Sequence, residues 1–287
     1  MKIWTLMENT ACREDLAFEH GLSLYIETAK HKILFDAGQS GAFADNAEKM
    51  GIDLSEVDIA VLSHGHYDHG GGLVRFMEIN KKAPIYMNEH AFEGHYHGTE
   101  RYIGLDPALR DADAQSRIIL SPDKLVIDEE LTLYSCNDRE LVYPIDSSGL
   151  TVEQKSESAE RESTKTSEDL CVLPEDFRHE QYLMITEAQP ARKILISGCS
   201  HKGILNIANW FEPDVLIGGF HFMNIDAEQE AGQKRLSEAA KTLSSYDTKY
   251  FTCHCTGLMQ YAYLKEIMGE KLAYLAGGQY VDLSAEK

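Results

Sequence analysis

The sequence predicts an α/β fold. Short apolar runs of strand length alternate with stretches of helical spacing, and histidine-bearing polar clusters stand at the ends of several of those runs, where α/β sheets usually carry their chemistry. A chain of 287 residues that is 43% hydrophobic can also bury a large core. The length suits one large domain or two small ones, and the reading adopted is a single domain, 1–287, with an insertion in mid-chain.

In chain order, Lys2–Met7, Leu22–Thr28 and Lys32–Phe35 are β-prone runs broken by turn residues, which predicts an opening antiparallel meander. Gln39–Met50 has helical spacing and stops at Gly51, Val57–Leu62 reads as a buried strand, and Gly71–Ile79 as a helix. Pro84–Met87 and Glu130–Ser135 read as strands separated by long polar connections. Thr151–Asp169, rich in Ser, Glu, Lys and Thr, reads as a solvated, flexible loop or insertion, with a lid over the site as the alternative. Tyr182–Thr186, Lys193–Ser197, Val215–Gly218 and Tyr250–Cys253 each read as a strand ending in or near a histidine-bearing turn. Ala227–Tyr246 reads as a helix with Leu236, Ala239, Ala240 and Leu243 on one face, behind Asp226 as N-cap and Gln229 completing a capping box.

The chemistry concentrates in Ser63-His64-Gly65-His66-Tyr67-Asp68-His69-Gly70-Gly71-Gly72, directly after the Val57–Leu62 run. Three imidazoles and a carboxylate within six residues are ligands that a borderline divalent ion such as zinc prefers, and the glycines let the loop curl so that they converge. His64 and His66 are spaced to clasp one ion, with Asp68 and His69 facing a second. This run resembles the His-x-His-x-Asp-His signature of the metallo-β-lactamase superfamily. The likeness continues through Glu19–Ser23, Leu34–Gly38, Ser197–Gly203, Gly218–His221 and Thr252–Gly257. Together these segments resemble the branch of 7,8-dihydropterin-6-yl-methyl-4-(β-D-ribofuranosyl)aminobenzene 5′-phosphate synthase-like hydrolases.

The resemblance implies a four-layer αββα sandwich with two divalent metal ions at one edge, most naturally Zn2+, with Mn2+ or Fe2+ as alternatives. It implies His64 and His66 as ligands of the first ion, and Asp68, His69 and His254 as ligands of the second. For the third histidine of the first site, His201 is preferred to His179, because it follows a buried strand between glycines. The family's usual Gly-Asp is Gly198-Cys199 here, so Cys199 is either a bridging thiolate or a buried strand-end thiol. Asp36 resembles an aspartate that accepts hydrogen bonds from the ligand loop. The catalytic candidates are Asp68, orienting a water whose pKa the ions lower from about 16 to about 7, and His221, binding an anion or protonating a leaving group. Asn9 and His20 are placed at the rim, while His90, His95 and His97, in a polar stretch, read as surface residues.

Composition narrows the partners. With 47 acidic and 27 basic residues, the net charge of −20 disfavours a nucleic-acid backbone and leaves a small-molecule substrate. Cys12, Cys136, Cys171, Cys199, Cys253 and Cys255 are scattered and read as free thiols, with Cys253 and Cys255 small buried residues at a strand end. The start turns polar too soon for a signal-peptide apolar region, and no run reaches the length of a membrane span, so a cytoplasmic protein without a membrane partner is expected. The function expected is a metal-dependent hydrolase acting on a small molecule, phosphorylated ones among the candidates. The alternatives are the pterin-pathway synthase that joins a dihydropterin to ribofuranosylaminobenzene phosphate, and a metal-bearing binding or sensor protein without turnover.

Overall fold

Parity along the central strands dictates the architecture of the computed structural model, which describes residues 1–155 and 170–285. Ile33 and Phe35, Ile59 and Val61, Ile194 and Ile196, and Val215 and Ile217 share one core cluster. Leu34 and Ala60 belong to a second cluster, and Leu195 and Leu216 to a third. Because successive strand residues point to opposite faces, these strands are apolar on both sides and each of two sheets is covered twice. The shared cluster lies between the sheets, and each of the others lies between a sheet and its helices.

The first sheet runs in the order Tyr280–Asp282, Lys2–Met7, Ser23–Glu27, Lys32–Phe35, Ile59–Val61, Ile85–Asn88 and Ile118–Ser121. The second runs Leu272–Tyr274, Lys249–Thr252, Val215–Ile217, Ala191–Ile196, Tyr182–Ala188, Leu131–Tyr134 and Lys124–Val126. Phe43 and Phe76, from helices Ala42–Lys49 and Leu73–Ile79, pack on the outer face of the first sheet. Helices Ile204–Phe211, Glu230–Ser245 and Leu258–Met268 cover the second through Ile207, Leu236, Leu243 and Leu264. The result is the αββα sandwich, and the opening meander is antiparallel as expected.

The parallel strands position the site. Lys32–Phe35 and Ile59–Val61 run side by side in one direction, pairing Phe35 with Val61, so Asp36 and the ligand loop leave the same edge. In the second sheet Ala191–Ile196, Val215–Ile217 and Lys249–Thr252 are likewise parallel, which brings the turns holding Cys199, His221 and His254 to one edge.

Three local expectations need correction. Residues 151–155, expected within the solvated loop, lie in the strand Leu150–Lys155, which pairs with Leu170–Pro174 and Gly94–His97 in a small four-stranded sheet. Only Val152 is buried in the first half of that strand, so its composition is as polar as a loop's; the rest of the expected loop, 156–169, lies outside the described residues. The helix expected from Ala227 is Glu230–Ser245, with Gln229 as N-cap. Asp226 instead accepts hydrogen bonds from Glu228 N and Gln229 Nε2 at 3.0 and 2.9 Å, closing a turn that holds the chain out of the helix. The helix expected from Gly71 starts at Leu73, after a separate turn Tyr67–Gly70. A Cβ at Gly72 would strike the carbonyl oxygens of Ala37 and Ser40, so this glycine is what lets the ligand loop lie against the Asp36 loop.

Candidate metal centre

Asp36 organises the ligand loop. It is fully buried and accepts from Ser63 N, Ser63 Oγ and His69 Nδ1 at 2.7, 2.7 and 2.6 Å. A carboxylate only accepts, so His69 carries its proton on Nδ1, and Nε2 is the atom left for a cation or a second proton. The Ser63 hydroxyl spends its one proton on Asp36 and therefore accepts from His64 Nδ1 at 2.8 Å, which leaves His64 Nε2 with its lone pair. Asn9 Oδ1 accepts from His254 Nδ1 at 2.7 Å, with the same result for that ring.

The freed Nε2 atoms then face one another. His69 Nε2 is 3.2 Å from His254 Nε2 and 3.2 Å from Cys199 Sγ. Asp68 Oδ2 lies 3.4 Å from His254 Nε2 and 3.9 Å from His69 Nε2. On the other side of Cys199, His201 Nε2 is 3.3 Å from His64 Nε2. Cys199 thus links two groups of converging donors, one with His69 and His254 and the other with His64 and His201, and it also belongs to a third with His221 and Cys255. Ligands about 2.0–2.1 Å from a tetrahedral zinc stand roughly 3.3 Å apart, so buried imidazoles, carboxylate and thiol are already at the spacing a divalent ion requires. The donor set fits a metal of the zinc class.

The electrostatics agree. Burial, reinforced by neighbouring imidazoles, holds His64, His66, His179 and His201 well below the usual histidine value, so these rings are neutral at neutral pH, the form that can ligate a metal. Burial works the same way on His69, but Asp36 and Asp68 overcome it and lift that ring to about 9, marking where positive charge is most wanted. Asp68 stays well below its ordinary range despite its burial, because His69, His20 and His254 surround it. Burial pushes the Cys199 thiol well up, so a thiolate there needs a cation beside it.

Of the expected site residues, the structure gathers Asp68, His69 and His254 at one position and His64 and His201 at the other. His66, expected with His64 and His201, has its ring 4.6 and 5.0 Å from theirs, and one of its two ring nitrogens gathers with His95, Glu175 and His179. His221 stands 4.3 Å from His201, ring to ring, and shares a group with Cys199 and Cys255. His20 Nε2 reaches Asp68 Oδ2 at 3.3 Å, and Asn9 holds His254. His95, expected on the surface, is fully buried; His97 is exposed, and His90 is half-buried against Glu93.

Residues the sequence reading missed hold the turns. Glu8, fully buried, accepts from His254 N at 2.6 Å and Tyr274 OH at 2.6 Å. Glu180, also fully buried, accepts from His201 N, Lys202 N and Tyr182 OH at 2.6, 3.0 and 2.6 Å. The available signal was an acidic residue abutting an apolar strand, as in Met7-Glu8 and Glu180-Gln181-Tyr182. Asp36, Ser200, His221 and His254 all adopt positive φ, between 48° and 58°. Such conformations cost on the order of 1–3 kcal/mol each and cluster at functional sites.

Residues 16–166 match the model of the metallo-beta-lactamase superfamily. An uncharacterized protein of Methanocaldococcus jannaschii is 29% identical over 272 residues, covering 91% of this chain and 93% of that protein. From the same organism, a protein named 7,8-dihydropterin-6-methyl-4-(beta-D-ribofuranosyl)-aminobenzene-5'-phosphate synthase is 28% identical over 302 residues, covering 98% and 96%. A solved metal-dependent hydrolase of the beta-lactamase superfamily superposes with a TM-score of 0.74 at 24% identity, covering 99% of each chain. With the family model spanning more than half of its length, the chain belongs to the metallo-beta-lactamase superfamily.

Proposed function

We propose that the protein is a metal-dependent hydrolase of a small molecule, with two divalent ions, zinc by preference, on either side of Cys199. One observation carries the reading: His69 Nε2 and His254 Nε2, each with Nδ1 already donating, face one another 3.2 Å apart. Two lone pairs so placed repel unless a proton or a metal ion lies between them, and the Asp68 carboxylate and Cys199 sulfur beside them complete a donor set for the ion. His64, His66 and His201 would hold one ion, and Asp68, His69 and His254 the other, with the Cys199 thiolate common to both. Ions bound there supply Lewis-acid stabilisation of a developing oxyanion and ready deprotonation of water. Asp68, buried and kept ionised, orients a water through its carboxylate, with His20 fixing the Oδ2 side. Burial lowers the proton affinity of His221, but the Cys255 sulfur beside it overcomes this and raises it, so His221 can bind an anion or deliver a proton to a leaving group.

The net charge of −20 favours a compact substrate over a polyanion. Phosphodiester, thioester and lactone substrates should be tested with the zinc-loaded protein and its Asp68→Ala variant. Turnover of one class that falls at least about a hundredfold in the variant supports the reading; no turnover of any class by zinc-, manganese- or iron-loaded protein overturns it. The name of the 28% identical relative favours a second reading, condensation of a dihydropterin with a ribofuranosylaminobenzene phosphate. Incubation with those two precursors separates the readings, since only a synthase consumes both together.

A further inference from the structure

An arginine without an acidic partner stands against the ligand loop. The chain carries 47 acidic and 27 basic residues, so exposed cations have carboxylates in plenty. Arg13, Arg75, Arg178 and Arg192 each pair with one. Arg101 pairs with none among the described residues. Its Nη2 donates instead to Tyr67 OH at 3.2 Å, and its guanidinium carbon lies 6.0 Å from the centre of the Tyr67 ring. Tyr67 stands between His66 and Asp68 in the ligand loop.

The small sheet aims this arginine. Residues directly opposite in an antiparallel pair project to the same face, as do alternate residues of one strand. Gly94–His97 pairs with Arg101–Tyr102, and His97 stands opposite Arg101. His95, His97 and Arg101 therefore share a face. His95 is buried, with its ring 5.5 Å from that of His66, so this face rests on the ligand loop. Beyond His95 it opens to solvent, where His97 and Arg101 are exposed and Tyr67 is half-buried.

Each of these groups has a donor to spare. The Tyr67 hydroxyl accepts from Arg101, which leaves its own proton free to donate. The other guanidinium N–H groups remain open in a planar fork that matches a carboxylate or a phosphate. His97 forms no ion pair among the described residues, and its imidazole offers a further N–H beside the fork.

We propose that Arg101, with Tyr67 OH and His97, forms an oxyanion subsite at the rim of the metal centre. It takes a carboxylate or phosphate that the substrate carries away from the bond being cleaved. Its part in turnover rests on the hydrolase reading; its binding of the anion does not need the metal. A cation outside the reacting atoms holds ground state and transition state alike, so the subsite acts on KM and selects the substrate.

Phenyl phosphate, benzoate and benzyl alcohol, titrated into the metal-stripped chain by calorimetry, test it. At least one of the two anions should bind saturably, and benzyl alcohol should not. Arg101→Gln should weaken that anion about tenfold or more. Arg101→Lys should recover part of the loss, because it restores the charge without the fork, and Tyr67→Phe should cost a smaller factor. The anion that responds to Arg101 identifies the group. No saturable binding of either anion by the wild type overturns the proposal whether or not a variant folds, as does equal binding by the wild type and Arg101→Gln. In the zinc-loaded protein, Arg101→Gln should raise KM for an anionic substrate and leave kcat within about twofold. Arg101-dependent anion binding in a protein without turnover defeats the hydrolase reading alone. Turnover whose KM does not respond to Arg101→Gln defeats the subsite alone.

Discussion

Asp36 Oδ2 lies 2.6 Å from His69 Nδ1, with both side chains fully buried. This contact sets the His69 tautomer, and the same carboxylate holds Ser63, which in turn sets His64. Asp36→Asn exchanges an obligate acceptor for a group that can present its N–H to Nδ1 and so turn the lone pair away from the metal position. Affinity for zinc should fall about 10- to 100-fold, measured by competition with a chelator. Wild-type affinity in this variant would show that Asp36 does not govern the ring.

Cys199 is the donor common to the His69–His254 and His64–His201 groups. A soft thiolate favours zinc over manganese or iron(II), whereas an oxygen donor narrows the difference. Cys199→Asp should therefore keep the metal count and shift the preference toward manganese by roughly tenfold or more, read from competitive loading at equal free concentrations of the two ions. An unchanged preference would remove Cys199 from the ligand set.

Gly72 permits the ligand loop to lie on the carbonyls of Ala37 and Ser40. Gly72→Ala should cost about 2–3 kcal/mol of stability, as overpacking a rigid contact does, and should weaken zinc binding as well, because the Asp36 and ligand loops must separate. Chemical denaturation and metal titration of the same variant check both parts. A stable variant with weakened metal binding would locate the effect in the loop alone.

Legibility followed sequence proximity. The His64–His69 cluster was readable because its members are neighbours after an apolar strand, and Cys199, His221 and His254 because each follows another such strand. His95 and Glu175 stand 80 residues apart, and each sits in a polar segment whose burial comes from a sheet that the sequence did not announce. That sheet escaped notice because Thr151 and Glu153 remain half-buried and only Val152 between them is core, so no apolar run marks the strand. The capping assignment at Asp226 failed for another reason: an aspartate that closes a turn two residues on satisfies the same local pattern as an N-cap.

Far from the metal centre, Asp128 joins the two main sheets. It lies in the turn between Lys124–Val126 and Leu131–Tyr134 and accepts from Glu130 N, Leu131 N and His31 Nε2 at 2.8, 2.9 and 2.6 Å. His31 belongs to the turn before Lys32–Phe35 in the other sheet. Partial burial works against the ionised carboxyl, but the two backbone N–H groups and His31 overcome it and hold Asp128 below the usual 3.8. A carboxyl whose folded pKa is depressed contributes stability that is complete above its unfolded value and lost as pH falls through the folded one. Asp128→Asn should thus lower stability by about 1.5 kcal/mol near neutrality, and the difference from the wild type should shrink once the pH drops below 3.8. Urea unfolding of both proteins, stripped of metal and compared from about pH 6 to about pH 3, checks this. Acid release of metal then affects neither curve, and a gap that stays constant or widens below 3.8 would show that Asp128 is not the titrating partner of His31.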